Sequence, residues 1–201
     1  MKTYPAIALI ELSGIADGIY AGDAMLKQSP VAMLKAGTIS RGKYLVLVGG
    51  SVAAVDEAFG QGLAIAQDSI IDSLMLPDIH PDVFAGLLEE KKNVQAEALG
   101  VLETESVASV IAAADAAIKG ADVSVNELRL GDNFGGKGYL LLSGKIEDVE
   151  IAMEIVSDVL AVRGKKCCCR TIANLTDGMR EHVNGALRFS QSALQILPDG
   201  E

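Results

Sequence analysis

The sequence predicts an α/β (α+β) protein built from two tandem copies of one ferredoxin-like domain, each in the order β-α-β-β-α-β. Two observations predict this class: an internal repeat more than ninety residues long, and the same alternation of short apolar runs and helical patterns in both copies. A unit of that length is a domain rather than a solenoid repeat. We place the domains at residues 1–94 and 95–201 and expect a helical tail at the end of the second.

The repeat is visible as residues that recur at a nearly constant distance. Early positions lie 92 residues apart, as Glu11 and Glu103 do, and later positions lie 94 apart, as Gly42 and Gly136 do. The two-residue slip falls in a connection, where insertions cost little. Other matched pairs are Asp23/Asp115, Lys27/Lys119, Val31/Val123, Lys43/Lys137 and Leu47/Leu141.

Each copy contains the same predicted elements. Predicted strands are residues 6–12, 31–38, 44–48 and 73–76 in the first copy, and 98–103, 123–130, 139–142 and 166–173 in the second. Predicted helices are residues 15–27, 52–67, 107–119 and 146–162, with Ser51 as an N-cap and Gly120 as a left-handed stop. In the last helix the stripe Val149, Met153, Val156 and Leu160 is apolar. Residues 86–96 form a polar, solvated linker.

Composition excludes several classes of protein. A net charge of −10 argues against nucleic acid, which needs clustered Lys and Arg. Mean hydropathy is positive, at +0.32, but we find no run of about 18 apolar residues that could span a membrane. The apolar start reads as a strand rather than a signal peptide. We therefore expect a cytoplasmic protein whose apolar surface is hidden in an oligomer.

One loop resembles a nucleotide-binding motif in spacing. Residues 131–137 fit G-x-x-x-x-G-K, but such a loop needs a Ser or Thr after the Lys and then a helix. Here Gly138 follows, and a strand is predicted next. The glycines are better explained by a tight turn.

The three adjacent cysteines, Cys167–Cys169, invite a metal site. Neighbours in a strand point to opposite faces, so Cys167 and Cys169 alone share a side. Zinc sites use spaced ligands, and we expect three buried or half-buried strand cysteines. His80 and His182 have no second ligand at metal-binding spacing and read as surface or helix-end residues.

No catalytic constellation emerges from the polar residues. Neither a Ser-His-Asp nor a Cys-His arrangement is present, and the protein is predicted not to be an enzyme. Glu11 and Glu103 recur at the end of the first strand of each copy. Their duplication suits a structural role, such as accepting backbone N–H groups.

The repeated pattern resembles the bacterial microcompartment shell domain. Its features are a strand ending in Glu, a helix carrying residues 23–27 or 115–119, and a Gly-Lys turn before an apolar strand. The resemblance covers residues 6–87 and 97–185, and two fused copies are similar to the tandem-domain class, with residues 76–81 similar to its member in propanediol-utilisation compartments. It implies a structural shell protein: a homotrimer forming a pseudo-hexameric tile, joined to other shell proteins at its edges.

The resemblance also implies site residues. Lys27 and Lys119 would lie at tile edges. The turns would surround a central pore for small metabolites, lined by Thr38, Ile39, Ser40, Arg41, Asn133, Phe134 and Gly135. We expect backbone amides and Ser40 at the narrowest point, with Arg41 at the mouth favouring small polar or anionic metabolites. The alternative is a channel closed by Phe134.

The residue expected to hold a cofactor differs in this chain. The resemblance to the member in propanediol-utilisation compartments implies a Cys in the first pore turn, where three copies hold an iron–sulfur cluster. Ser40 stands there instead, and clusters are held by thiolates, so we expect no cofactor and no metal. Two alternatives stay open: an iron–sulfur electron-transfer shell protein, because of Cys167–Cys169, and a ferredoxin-like small-molecule-binding protein, because that fold hosts many functions.

Overall fold

The structure is a computed structural model that describes residues 5–185 and 191–194. The first half of the chain forms β1 (Ala6–Leu12), α1 (Ile15–Gln28), β2 (Met33–Thr38), β3 (Tyr44–Gly50), α2 (Val52–Ala66), β4 (Ile70–Leu76) and α3 (Pro81–Leu87). The second half forms β5 (Ala98–Thr104), α4 (Val107–Gly120), β6 (Ser124–Leu130), β7 (Gly138–Gly144), α5 (Ile146–Val162), β8 (Cys167–Ile172) and α6 (Asp177–Asn184). Of the predicted C-terminal tail, α6 is described; residues 186–190 and 195–201 lie outside the described residues.

The strands form two four-stranded antiparallel sheets of identical topology. Their orders are β2-β3-β1-β4 and β6-β7-β5-β8. The predicted ferredoxin-like arrangement is therefore confirmed in both copies. The sheets also share one register: Glu11 lies between Leu45 and Asp72, and Glu103 between Tyr139 and Cys168.

Alternation along β1 divides its side chains between two packed faces. Ala6, Ala8, Ile10 and Leu12 join the core formed with α1 and α2. Ile7 and Leu9, on the opposite face, join a larger cluster that contains much of the second domain. A strand buried on both faces reads as a continuous apolar run, which is why residues 6–12 show little polar alternation.

Two of the three helix signals in the sequence, the Ser51 cap and the apolar stripe of α5, are confirmed. Ser51 caps α2, its hydroxyl accepting from the Ala54 N–H at 3.3 Å. The predicted stripe on α5 is buried. His80 caps α3, its Nδ1 accepting from the Asp82 N–H at 3.2 Å. The left-handed stop at Gly120 was wrong: Gly120 is the last helical residue, and a Cβ there would lie 2.5 Å from Ile155 Cδ1.

The contact between the first helix and the sheet places its glycine on opposite sides in the two domains. In the first, Gly18 of α1 faces Tyr44 of β3, and a Cβ on Gly18 would lie 2.3 Å from the Tyr44 ring. In the second, the matching residues are Val110 and Gly138, and a Cβ on Gly138 would lie 2.5 Å from Val110. The first domain therefore has the glycine on the helix and the large side chain on the strand, and the second domain has the reverse.

The predicted linker at residues 86–96 begins too early. Gly86 and Leu87 belong to α3, a helix that the sequence analysis missed, and α3 packs on β6 of the second domain. A Cβ on Gly86 would lie 3.0 Å from Leu128 Cβ. The rest of the linker is anchored rather than merely solvated, since the Lys92 N–H donates to the Asn126 carbonyl at 2.8 Å and Val94 is buried. Within the described residues, no helix has the length and apolar character needed to cross a membrane.

Candidate functional site

The two turns expected to form the pore lie side by side. They connect β2 to β3 and β6 to β7, with five residues between the strands in the first (39–43) and seven in the second (131–137). The Asn133 N–H donates to Ser40 Oγ at 2.9 Å, and a Cβ on Gly136 would lie 3.0 Å from the Ser40 carbonyl oxygen. The structure therefore brings Ser40 and Asn133 together. Thr38, Arg41, Asn133 and Gly135 are exposed, and Ile39, Ser40 and Phe134 are half-buried.

Left-handed backbone shapes both turns. Arg41 and Gly42 have φ of 69° and 71°, and Asn133, Gly135 and Gly136 have φ of 68°, 70° and 72°. Glycine adopts this conformation without steric cost, which explains the Gly-rich sequence. A nucleotide-binding loop would lead into a helix, but the second turn leads into strand β7. Lys137, the lysine of the motif, pairs with Glu103 at 2.7 Å. The explanation of these glycines as turn residues is confirmed.

Phe134 is held against its own domain. Its ring centroid lies 5.3 Å from Arg129 Cζ, a cation–π contact, and Arg129 also pairs with Glu127 at 3.1 Å. Sequence analysis missed Arg129, because a single Arg in an apolar strand carries no spacing signal. A cavity of about 450 Å³ lies beside these residues, between β2 and β6. Its lining includes Lys35, Thr38, Lys91, Glu127, Arg129 and Asp132.

The most buried ionic group joins the two domains. Glu11 is fully buried, and its Oε2 accepts from the Val107 N–H at 2.6 Å and more weakly from the Ala108 N–H at 3.4 Å. These N–H groups begin α4, where the helix dipole favours a carboxylate. Lys43 Nζ donates to Glu11 Oε1 at 2.7 Å and to the carbonyls of Glu105 and Gly136 at 3.1 and 3.0 Å. The expectation of a carboxylate that accepts backbone N–H groups is confirmed for Glu11, whereas the side chain of Glu103 pairs with Lys137 at 2.7 Å instead.

Asp72 makes a second ionic contact between the domains. Its Oδ2 accepts from the hydroxyls of Ser106 and Ser109 at 2.5 and 2.6 Å. Its Oδ1 lies 2.9 Å from Arg163 Nη2 and 3.5 Å from Lys165 Nζ. Burial disfavours the charged form, but the two hydrogen bonds and the two cations outweigh it and hold the pKa of Asp72 below its ordinary value.

We call the contact between the first sheet and α4 the domain joint. One side is the sheet face carrying Glu11, Lys43 and Asp72, and the other is the start of α4. Every charged atom of Glu11 and Lys43 has a partner there, and these hydrogen bonds offset the desolvation penalty of burying the pair. Because Lys43 also bonds the Gly136 carbonyl, the joint holds the two turns next to each other.

The two lysines expected at tile edges occupy matching positions in the last turns of α1 and α4. Lys27 is exposed and pairs with Asp23 at 2.5 Å, a contact that raises the pKa of Lys27. Lys119 pairs with Asp115 at 2.7 Å and also donates to the Asp78 carbonyl. Asp115 in turn accepts from the His80 N–H at 2.8 Å. Lys119 thus contributes to contact between the domains, whereas Lys27 is bonded within its own helix.

The cysteines differ in part from expectation. Cys167 and Cys169 share a side of β8, with their sulfurs 3.5 Å apart, as predicted. The prediction that all three are at least half-buried was wrong, because β8 is an edge strand and Cys167 and Cys168 are exposed. Burial and the adjacent Cys167 raise the pKa of Cys169 to about 11, which disfavours the thiolate that a metal needs. In the described part of the chain, no three His, Cys, Asp or Glu residues form a metal-binding group.

Comparison with known proteins gives a consistent result. The model of the BMC domain matches residues 6–79 and again residues 98–173. The chain is 39% identical to the bacterial microcompartment shell protein PduT of Citrobacter freundii, covering 79% of this chain and 86% of that protein. It is 26% identical to the carboxysome assembly protein CcmO of a Synechocystis strain, covering 75% of this chain and 54% of that protein.

Solved structures agree with these matches. A microcompartment protein from Desulfitobacterium hafniense superposes with a TM-score of 0.76 at 36% identity, covering 89% of this chain and 99% of that one. The fused permuted hexameric shell protein of the RMM microcompartment superposes with a TM-score of 0.60 at 26% identity, covering 81% and 84%.

Proposed function

This chain belongs to the BMC domain family, and on that premise we propose that it is a structural shell protein of a bacterial microcompartment. Three chains form a pseudo-hexameric tile, and tiles pack edge to edge with other shell proteins around a cytoplasmic compartment. One observation carries the proposal: two copies of the family's domain are fused and joined so that their turns meet. Three such pairs of turns would surround one axis.

A structural rather than a catalytic role belongs to this proposal. Two features support it: the family match, and the use of the most buried carboxylates, Glu11 and Asp72, to hold the domains together. A catalytic carboxylate would be expected to face a cleft, whereas these two face helix N–H groups, hydroxyls and cations.

We propose that the turns form a metabolite pore without a cofactor. Ser40 supports the second part, because its hydroxyl accepts from the Asn133 N–H and cannot replace a cluster thiolate. The residues present in the turns therefore do not fit an iron–sulfur cluster. Phe134 supports an open channel, because its ring stacks on Arg129 of its own domain. The exposed Arg41 is the cation available to attract small anionic metabolites.

Sheet assembly tests the tile. Changing Lys27 and Lys119 to Asp should abolish the flat hexagonal sheets that electron microscopy would show for concentrated wild-type protein, and the change at Lys27 alone should leave trimers intact. A Lys side chain can lay its stem along a neighbouring tile while its amine finds carbonyl partners, and a short anionic side chain cannot. Trimers should give about three times the 20.9 kDa chain mass in light scattering.

The single variant Lys27→Asp is the sharper test, because Lys119 also bonds Asp78 across the domains. Its matched control is Lys145→Asp, which makes the same charge change at an exposed helix start. Normal sheets from Lys27→Asp would show that this lysine is not at an edge. A wild-type protein that stays a monomer at micromolar concentration would end the shell-tile proposal.

A further inference from the structure

Two thiols on β8 form a nucleophilic cluster that the proposed function does not use. Cys167 Sγ and Cys169 Sγ lie 3.5 Å apart, on the face of the strand that packs against α5. Cys168 points to the opposite face, because side chains alternate along a strand, and there it lies beside Glu103. A disulfide bond is about 2.0 Å long, so a movement of about 1.5 Å would join the sulfurs of Cys167 and Cys169.

The backbone at this place can accept such a bond. Alpha carbons two residues apart in a strand are separated by about 6.6 Å, at the upper end of the range that disulfides span, so β8 would have to shorten slightly. The first domain shows that the fold allows this. Its strand β4 matches β8, and the register between Glu11 and Leu12 shifts so that Ile71 forms a bulge. Cys167 is the residue that matches Ile71, and β8 itself pairs regularly with β5.

The two thiols differ in exposure, and the difference assigns their order of reaction. Cys167 is exposed, whereas Cys169 is half-buried and packs against the core of its domain, next to Ser157 of α5. Burial and the adjacent Cys167 also raise the pKa of Cys169 to about 11. A reagent from solvent therefore meets Cys167 first, and Cys169 is placed to react with its neighbour afterwards.

The face that carries the two thiols is not the one that joins the domains. Ile71 and Ser73 are their counterparts on β4, and both stay half-buried although β4 takes part in the domain joint. Asp72, between them, points to the other face and is the residue that the joint buries.

We propose that Cys167 and Cys169 form a reversible dithiol–disulfide site whose substrate is a low-molecular-weight disulfide. The Cys167 thiolate attacks one sulfur of the substrate, which breaks the substrate's S–S bond and releases one thiolate, protonated by solvent. Cys169 then loses its proton to solvent and attacks Cys167 Sγ, releasing the second half of the substrate as a thiol. Two protein thiols are oxidised, and one disulfide is reduced to two thiols. The site needs neither a metal nor a cluster, and it goes beyond the proposed shell role without depending on it.

Mass spectrometry of intact chains tests the site with oxidised glutathione as the probe. In the Cys168→Ala protein, both remaining thiols should disappear while no glutathione stays bound, and dithiothreitol should restore them. Removing the second thiol as well, in Cys168→Ala/Cys169→Ala, should trap one bound glutathione on Cys167. Cys169 alone, in Cys167→Ala/Cys168→Ala, should bind glutathione at least roughly tenfold more slowly than Cys167 alone. The matched control is Cys169→Ala, which keeps two thiols on opposite faces and should retain glutathione instead of forming an internal disulfide.

Amide hydrogen exchange supplies a second measurement. Oxidation of the Cys168→Ala protein should speed exchange in Cys167–Arg170 at least roughly tenfold, because the shortened strand loses regular pairing with β5. The Cys167→Ala/Cys168→Ala protein should show no such change. Two glutathiones bound to Cys168→Ala, or two thiols that stay free, would overturn the site, and unchanged exchange after oxidation would overturn the bulge. The shell role is tested separately by sheet assembly, so its failure and that of the thiol site are distinguishable.

Discussion

Asp72 shows how a single buried carboxylate can stabilise a contact between domains. Four side chains converge on it: two hydroxyls at the start of α4 and two cations just after the end of α5. Removal of one partner of such a group leaves the others buried and unsatisfied, which costs more than the hydrogen bond itself. At the residue scale, this side chain and Glu11 are the buried carboxylates through which the first domain bonds the second.

The shifted pKa of Asp72 makes the docking pH-dependent. The pKa is depressed in the folded protein, so the carboxyl contributes stability above its ordinary value of 3.8 and loses it as the pH falls toward the folded value. Asp72→Asn should lower the free energy of unfolding by about 2 kcal/mol near neutral pH and by less in acid. Urea unfolding of both proteins between about pH 7 and pH 3 measures this.

Asp56→Asn, at an exposed position on α2, is the control and should change neither stability nor its pH dependence. An Asp72→Asn protein whose loss of stability is the same at every pH would contradict the assignment.

At the scale of elements, the two domains show that one topology tolerates two arrangements of volume. The first packs Gly18 on Tyr44, and the second packs Val110 on Gly138. Helix and sheet approach closely in both, because one of the two residues always lacks a side chain. Interiors packed at crystal density require such compensation.

Gly18→Val should therefore destabilise the first domain by about 3 kcal/mol, because the new side chain would overlap the Tyr44 ring. The double variant Gly18→Val/Tyr44→Gly reproduces the arrangement of the second domain. Its loss of unfolding free energy should be about 2 kcal/mol smaller than the sum of the losses in the two single variants. Thermal and urea unfolding measure the cycle.

Gly60→Val is the matched control for this pair, since open space surrounds a Cβ at Gly60. It should change stability by less than about 1 kcal/mol. Strict additivity of the two substitutions would show that Gly18 and Tyr44 do not compensate each other.

Elements were also what the sequence predicted best. The repeat aligned two copies of each strand and helix, so an ambiguous segment in one copy was resolved by the other. Helix α3 was missed because its seven residues are too few for a clear period. The Asp72 contact was missed because its partners lie 34 to 93 positions away, as with Ser106 and Lys165, and isolated polar residues carry no spacing signal. The apolar run of β1 predicted a strand without showing that the second domain covers one of its faces.

At the scale of the whole molecule, the domain joint determines how the two pore turns are placed. It holds a five-residue turn beside a seven-residue turn, so a ring of three chains alternates two unlike turns. Whatever charge lies on one turn is repeated three times around a narrow axis, where low-dielectric walls focus its field.

Passage of metabolites through assembled shells tests the pore. Arg41→Glu should reduce the flux of a small anionic metabolite by roughly tenfold relative to a neutral one of equal size. Ser40→Leu should slow all polar metabolites, because it replaces a hydroxyl with a larger apolar side chain. An enzyme enclosed in the shell reports entry through its initial rate.

Lys145→Glu serves as the control, because residue 145 follows the end of β7 that lies farthest from the turn. Unchanged flux of every metabolite in both pore variants would exclude the pore and leave the tile intact.

The four partners of Asp72 also bear on which subunits can share a ring. A foreign domain seated on β4 would have to supply two hydroxyls and two cations, or leave a carboxylate buried without compensation, at a cost of about 3–5 kcal/mol. The second domain of the same chain supplies them and is tethered at high effective concentration. We therefore expect the Asp72 contact to disfavour a single-domain relative on the first domain's sheet. In a ring of three of these chains, each of the two unlike turns is present three times.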